Sequence, residues 1–380
     1  MAENPELRGA LDGIRIVDFT QTLAGPHCTW LLSCLGADVI KVEGPTGDYL
    51  RPAKHGTVFA SANRNKRSIV IDLKTDAGKK MAHRLVAKSD VLVENYRTGT
   101  MERLGLSYQV AKKLNPQLVY ASISGYGQEG PYASRPGYDP IGQALAGIMS
   151  ATGSSESGPL RVGTSIIDYS AGMYAALAIV AAIHRKHRYG VGAYLDISLL
   201  ESAMSFMSQH YTHFSATGER PIRRGTANDT FVPFQVFDVA DGSVFVGVGT
   251  DRMFQDFCRI FGLDELAADE GLQTIQARHD RIDEVVPIVA EVLKKYSREY
   301  VIQALLDAGI PVADVMSVDE TMNDPHVLDR GAVCEIDDAE LGRIVVTPFP
   351  VIIDRQERTG GVSAPTLGQH TDEIIRELDL

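Results

Sequence analysis

Apolar residues in the first half of the chain fall into short unbroken runs, with longer stretches of helical spacing between them. Ile14-Arg-Ile-Val-Asp18 and Ala37-Asp-Val-Ile-Lys-Val-Glu43 predict strands, and the spacing from His27 to Leu35 predicts a helix. Strand, turn, helix and strand in so short a stretch make a βαβ unit, which implies a parallel sheet. Ser68 to Leu73, Asp90 to Glu94, Leu118 to Ser124 and Ala193 to Ser198 predict further strands, and Ala77 to Ala87 a helix. Leu199 to Phe214 also reads as helix. Ala216 to Asn228 then resembles a linker, with Gly218, Pro221 and Gly225. A second unit starts near Phe231, where two alternating runs flank Ala240-Asp-Gly-Ser243, a hairpin signal. Helices follow over Arg252 to Phe261, Glu284 to Lys295 and Arg298 to Ala308. Residues 331–355 alternate like strands, and Leu367 to Leu380 predicts a terminal helix.

One run stands apart. Ala171 to Ile183 carries no charge and is rich in Ala and Leu, so it predicts a helix. The run is shorter than the roughly 20 residues a bilayer requires, which makes it a core helix. Asp168 then lies at or near its N-terminus, and two readings compete. An Asp before an apolar helix can cap free backbone N–H groups. Alternatively, it is a nucleophile, kept ionised by the helix N-terminus and able to attack an acyl carbon. Gly163 and Gly172 flank it and would allow close approach. Local sequence leaves both readings open.

Composition adds limits. The chain is 44% hydrophobic and 23% charged, with net charge −12, as in a soluble globular protein. Lys/Arg runs never exceed two residues, which argues against nucleic acid and anionic membranes as partners. An anionic substrate therefore needs a local basic pocket. Cys28, Cys34, Cys258 and Cys334 form no CxxC pair and suggest neither zinc nor a disulfide framework. No metal site is expected. The opening segment is polar without an apolar signal core, so a cytoplasmic setting is expected.

Candidate chemistry clusters in loops. The turn Phe19 to Pro26 follows the first strand, where parallel sheets bind ligands, but it lacks GxGxxG. His27 reads as a capped or core histidine. Asn63-Arg-Asn-Lys-Arg67 reads as a solvated basic loop or a phosphate holder. Gly125-Tyr-Gly-Gln-Glu-Gly-Pro131 and Gly137-Tyr-Asp-Pro140 are too long for simple hairpins and suggest a site.

Taken in order, these words resemble the class III coenzyme A transferases, the group that includes formyl-CoA transferase and carnitine CoA-transferase. The matching residues are Asp18-Phe-Thr with Ala24-Gly-Pro26, Gly36 to Glu43, Asn65-Lys-Arg-Ser68, Glu94-Asn-Tyr96 with Gly105, and Ser124-Gly-Tyr-Gly127 with Gly130-Pro131. Gly137-Tyr-Asp-Pro140, Gly163 with Asp168 and Ala171-Gly172, and Ala240-Asp-Gly242 complete the set, which spans most of the chain.

The resemblance implies an α/β fold. A Rossmann-like large domain would comprise residues 1–215 and 331–380, linkers 216–230 and 316–330, and a small domain 231–315. It implies an interlocked homodimer. It also implies that Asp168 is the nucleophile, passing CoA from an acyl-CoA donor to a carboxylic acid through an aspartyl anhydride and an aspartyl-CoA thioester. An aspartate of ordinary pKa, about 4, is ionised at pH 7, and backbone N–H groups of the glycine-rich loops would stabilise developing charge. By position, Thr22, Ile71, Lys74, Asn95, Tyr96, Arg97 and Arg103 would line CoA, and Tyr138 and Gln21 the acyl site. CoA and acyl-CoA enter as substrates, with no permanently bound cofactor.

The chain also departs from the family pattern. Gln21 and Leu23 stand where formyl-CoA transferase has a His and a Gln, and Val246-Gly-Val-Gly-Thr250 replaces its run of glycines. A larger acid is expected, a dicarboxylate with succinyl-CoA as donor. The alternatives are a racemase of the same fold and a silent CoA-binding subunit. Alpha-methylacyl-CoA racemase uses a His in a Gly-His-Asp word; here that word is Gly137-Tyr-Asp139.

Overall fold

The computed structural model describes residues 9–380. The first part of the polar opening segment, read above for want of a signal core, lies outside the described residues. Two compact units emerge. The larger comprises residues 9–149, Arg161–Arg220 and Pro325–Leu380; the smaller comprises Ser150–Leu160 and Pro221–Asp324.

The larger unit is built on six strands: β1 (Arg15–Asp18), β2 (Asp38–Glu43), β3 (Arg67–Val70), β4 (Val91–Glu94), β5 (Val119–Ser124) and β6 (Ala193–Ser198). Their order is β3-β2-β1-β4-β5-β6, and every pairing is parallel. Every position of β4 and β5 is buried, the pattern of strands covered on both faces. The chain winds outward from β1 to β3, then returns to β4 and winds the other way. The crevice beyond the C-terminal ends of β1 and β4 is therefore the switch point where such sheets bind ligands.

The main helices of this unit before its C-terminal segment are α1 (Ala24–Cys34), α2 (Thr57–Asn63), α3 (Asp76–Ala87), α4 (Tyr108–Leu114), α5 (Asp139–Leu145), α6 (Ile166–Tyr189), α7 (Leu199–Phe206) and α8 (Ser208–Thr217). α1 starts before His27, with Pro26 in its first turn, where a missing N–H costs nothing. The helix predicted over Leu199 to Phe214 is in fact two, broken at Met207.

α6 has 24 residues, well beyond its charge-free run, so the length argument against a membrane span does not hold. By length and composition it could cross one, and half of its most apolar window is buried. Packing identifies one face as core: Ala171, Ala175, Ile179 and Ile183 are buried, and the helix lies against α1, β5 and β6. Gly172 makes the closest approach. A Cβ there would sit 2.7 Å from the Ala24 carbonyl oxygen, so α1 and α6 could not pack as they do.

The basic stretch Asn63 to Arg67 is neither a solvated loop nor a phosphate holder. Arg64 is 2% exposed and donates to the carbonyls of Gly360 and Thr347 at 2.6 and 2.7 Å. Arg67 pairs with Asp38 and Glu377. Lys66 is buried on Asp18, Asn63 and the Pro26 carbonyl. Each cation is already committed to the protein. The C-terminal segment completes the unit: the helix Thr371–Leu378 puts Ile374 and Leu378 into the core around Ile40 and Ile69. The expected strands in 331–355 reduce to one antiparallel pair, Cys334–Asp338 with Gly342–Val346.

The smaller unit holds the predicted hairpin, β7 (Phe234–Val239) and β8 (Gly242–Gly247), with β9 (Val312–Asp314) added antiparallel to β8. Helices α9 (Asp251–Phe261), α10 (Ile282–Leu293) and α11 (Arg298–Asp307) supply Phe254, Phe257, Val285, Val289, Leu293, Val301 and Leu305 to one apolar core. Arg278 is fully buried there, stacked on Phe254, and donates to Asp251 and to the carbonyls of Val232 and Leu272.

Candidate active site

The loops after β1, β4 and β5 converge with the start of α6 on a cleft of about 200 Å³. Its lining includes Gln21, Thr22, Tyr49, Asn95, Tyr96, Arg97, Thr98, Arg135, Gly137, Tyr138 and Asp168. A wider cleft of about 380 Å³ lies elsewhere in this unit, lined by Trp30, Arg64 and residues of 348–361. It offers no carboxylate at a helix start, so chemistry and not volume selects the first.

Asp168 is the third residue of α6, and the N-cap position is Ser165, whose side chain makes no capping bond. The capping role belongs to Asp139, at the start of α5. Its Oδ2 accepts the N–H groups of Ile167 at 2.7 Å and Asp168 at 3.3 Å. Its Oδ1 accepts from Gln143 Nε2 at 2.6 Å, and Gln143 Oε1 accepts the Val162 N–H at 2.9 Å. Asp139 thus does what an N-cap does, from a distant point in sequence. The Asp168 carboxylate accepts no hydrogen bond from any described residue and is left facing the cleft chemistry. Burial, aided by the negative charge of Asp139, pushes its pKa up to about 7. This corrects the expectation of an ordinary aspartate held ionised by the helix end.

The loop after β1 is held from every side. Phe19 N–H donates to the Val93 carbonyl at 2.9 Å, and the Thr20 N–H to Asp18 at 2.8 Å. Lys41 donates to the Thr20 carbonyl at 2.9 Å. Asn95 grips Gln21 in both directions: its Oδ1 accepts the Gln21 N–H at 2.8 Å and its Nδ2 donates to the Gln21 carbonyl at 2.7 Å. These bonds allow Thr22 to adopt φ +69°, which is strained for a β-branched residue. Its hydroxyl bonds Tyr49 at 2.9 Å. Beneath the loop, burial pushes the Asp18 carboxyl up, but Lys66 and Lys41 outweigh it and hold it below the ordinary range. Burial pushes Lys66 down to about 8. On the far side, Gly125 and Gly137 cross; a Cβ on either would come within 2.7 Å of the other's Cα. That crossing brings Tyr138 to the cleft wall.

Of the residues expected to form the site, Asp168, Tyr138, Gln21, Thr22, Asn95, Tyr96 and Arg97 share this cleft. Ile71, Lys74 and Arg103 do not line it. Ile71 is 2% exposed in the core at the end of β3, Lys74 is exposed just beyond it, and Arg103 bonds Thr100. Among the described lining residues there is no histidine. His27 instead packs between Trp30 and Tyr169, and burial lowers its pKa to about 4. Sequence reasoning missed Arg135, Tyr49 and the capping role of Asp139. The Asp139 role had one available signal, a carboxylate directly ahead of Pro140.

A six-stranded parallel sheet of this order thus presents Asp168 as the carboxylate lining its switch-point cleft. Residues 11–371 match CoA-transferase family III, and the chain belongs to that family. It is 34% identical to the succinate–glutarate CoA-transferase of Agrobacterium fabrum, over 100% of this chain and 98% of that protein. It is 36% identical to the succinyl-CoA–D-citramalate CoA-transferase of Chloroflexus aurantiacus, over 97% of this chain and 94% of that one. A CaiB/BaiF family protein from Brucella suis has the same fold at TM-score 0.89 and 33% identity, covering 98% of this chain and 100% of that chain.

Proposed function

We propose that this CoA-transferase moves coenzyme A from succinyl-CoA to a dicarboxylic acid through covalent intermediates on Asp168. The observation that carries the mechanism is a half-buried carboxylate left without a hydrogen bond from any described residue, because Asp139 takes its capping duty. In its ionised form Asp168 attacks the thioester carbon and expels CoA thiolate, giving an aspartyl–acyl anhydride. The thiolate then attacks the aspartyl carbonyl and expels the donor's carboxylate, leaving aspartyl-CoA. The acceptor carboxylate attacks the same carbonyl and expels the thiolate, which finally attacks the acceptor's own carbonyl and frees Asp168. Each step exchanges a carboxylate and a thiolate on one acyl carbon. The uncommitted N–H groups of the Gly125–Gly137 crossing are suited to bear the developing oxyanion.

The acyl end of the substrate occupies the cleft. CoA extends over Asn95, Tyr96 and Arg97 toward Arg103 and Lys74 along the C-terminal edge of the sheet. The acids named for the two relatives above, succinate, glutarate and citramalate, each bear two carboxylates, which supports a diacid here. A racemase would need a second base, and the cleft presents a tyrosine where that family member has histidine. Four free thiols suit a reducing, cytoplasmic setting.

Mixing the enzyme with succinyl-CoA and digesting it should leave a CoA or succinyl mass on the Asp168 peptide, absent in Asp168→Asn. An unlabelled peptide together with α-deuterium exchange would replace this reading with racemisation.

We infer that the active form is a homodimer, and the resemblance favours an interlocked one. Met173, Tyr174 and Leu177 recur on one face of α6 beside Met204, Phe206, Tyr211 and Phe214 of α7 and α8, all largely exposed in the single chain. A monomer rarely leaves so continuous an apolar face in water. Leu177→Glu should lower the solution mass from dimer to monomer in sedimentation. A monomeric wild type would end the proposal.

A further inference from the structure

The loop between β5 and α5 holds a cation that the steps above do not use. Arg135 lines the same cleft as Asp168 and Tyr138. Its guanidinium lies over the ring of Tyr132, 3.6 Å from the centroid. Tyr132 meets Tyr126 edge to face at 5.8 Å, and the Tyr126 hydroxyl donates to the Pro136 carbonyl at 3.4 Å. The Arg135 N–H closes the turn on the Tyr132 carbonyl at 2.8 Å. The side chain is thus seated through one face. Arg135 is exposed, and among the described residues no carboxylate pairs with its guanidinium and no acceptor takes a guanidinium N–H.

That arrangement has a chemical meaning. A guanidinium stacked on a ring keeps its edges free, and those edges fit a carboxylate with two parallel hydrogen bonds. The cleft also contains Asp168 and, behind it, Asp139. A doubly charged acid entering there meets repulsion unless a cation offsets it. The cleft's two cations are Arg97 and Arg135. Arg97 follows Asn95 and Tyr96 on the β4 side, toward the CoA arm. Arg135 is three residues before Tyr138 and four before the carboxylate that caps α6, in the loop that brings Tyr138 to the cleft wall.

We infer that Arg135 holds the distal carboxylate of a dicarboxylic substrate and so makes the enzyme select acids with two carboxylates. The same contact serves the donor's succinyl group and the acceptor acid in turn, since each occupies the acyl end while Asp168 reacts. This inference rests on the transfer reading above and adds to it the residue that chooses the acid.

The test compares glutarate with pentanoate, an acid of the same length with one carboxylate, using succinyl-CoA as donor. Wild type should prefer glutarate. Read as kcat/KM for each acceptor, which the donor step does not enter, Arg135→Gln should cut that preference about 100-fold or more, chiefly by raising the KM for glutarate, while the value for pentanoate changes little. Arg135→Lys should recover part of the preference, as a charge without the fork. A wild type indifferent to the second carboxylate overturns the inference. So does an Arg135→Gln enzyme whose kcat/KM falls equally for both acids, the mark of a structural or CoA-binding role. In either case, CoA transfer by wild type still stands on the Asp168 label. Loss of that label in wild type brings down the transfer reading itself.

Discussion

The two units bury different things. Nearly every buried polar or charged side chain belongs to the larger one: Asp18, Lys41, Glu43, Asp48, Asn63, Arg64, Lys66, Glu94, Asp139 and Gln143 among them. The smaller unit buries Arg278 inside an otherwise apolar core and carries most of the chain's net negative charge on its surface. Burying a charge costs several kcal/mol, and pairing repays this only when the geometry is good. An apolar core gives stability without that risk. The larger unit takes the risk where Asp18, Lys66, Lys41 and Asp48 lie under the loop that carries Gln21 and Thr22. The difference teaches that the cluster of buried charge under the β1 loop marks the site, while single buried arginines such as Arg64 and Arg278 serve packing elsewhere.

A paired experiment would break that lesson most directly. Lys66→Met removes the one cation in direct contact with buried Asp18, at a cost of roughly 3–5 kcal/mol. Phe257→Ala opens a cavity in the small unit's core, also at a cost of about 3–5 kcal/mol. Denaturant melts should show similar losses. Turnover measured on the folded fraction should diverge: about tenfold or more lower for Lys66→Met, because the β1 loop shifts, and unchanged for Phe257→Ala. Equal turnover in the two variants would mean that the buried charges serve stability alone.

The pH response is a smaller effect that sharpens the same point. With Asp168 pushed up to about 7, kcat/KM should fall below neutral pH as the nucleophile gains its proton. Asp139→Asn removes a nearby negative charge, so the acid limb should move down by about half to one unit. A limb that stays in place would assign it to another group. The stability sign follows. The folded chain binds the Asp168 proton more tightly than the unfolded chain, so this group lowers stability as pH rises from about 4 through 7. Asp168→Asn should therefore raise Tm at pH 8 and leave it unchanged near pH 4.

Much of the frame was legible because buried parallel strands leave a plain trace. Val91 to Glu94 and Val119 to Ser124 are short apolar runs bounded by polar turns, and Ala193 to Ser198 was read with its observed limits. The extent of α6 was not legible. Its first residues, Ile166 and Ile167, precede the charge-free run, and its last turn is basic, so charge content misplaced both ends. Asp168 could be singled out but not freed from its capping role, because the group that frees it, Asp139, is far away in sequence. The acidity of Asp168 was misjudged for the same reason: burial and a neighbouring charge are properties of the fold. Arg135 carried no signal beyond an aromatic residue three positions earlier, and Asn63 to Arg67 read as exposed because the carbonyls that hold Arg64 come from the far end of the chain.

The grip of Asn95 on residue 21 has a wider consequence. Both of its bonds go to main-chain atoms, which every amino acid but proline supplies. The side chain at 21 is therefore free to be replaced while the loop keeps its shape. One scaffold can then be refitted for acids of different size through a single outward-facing substituent, with the geometry around the reacting carboxylate undisturbed.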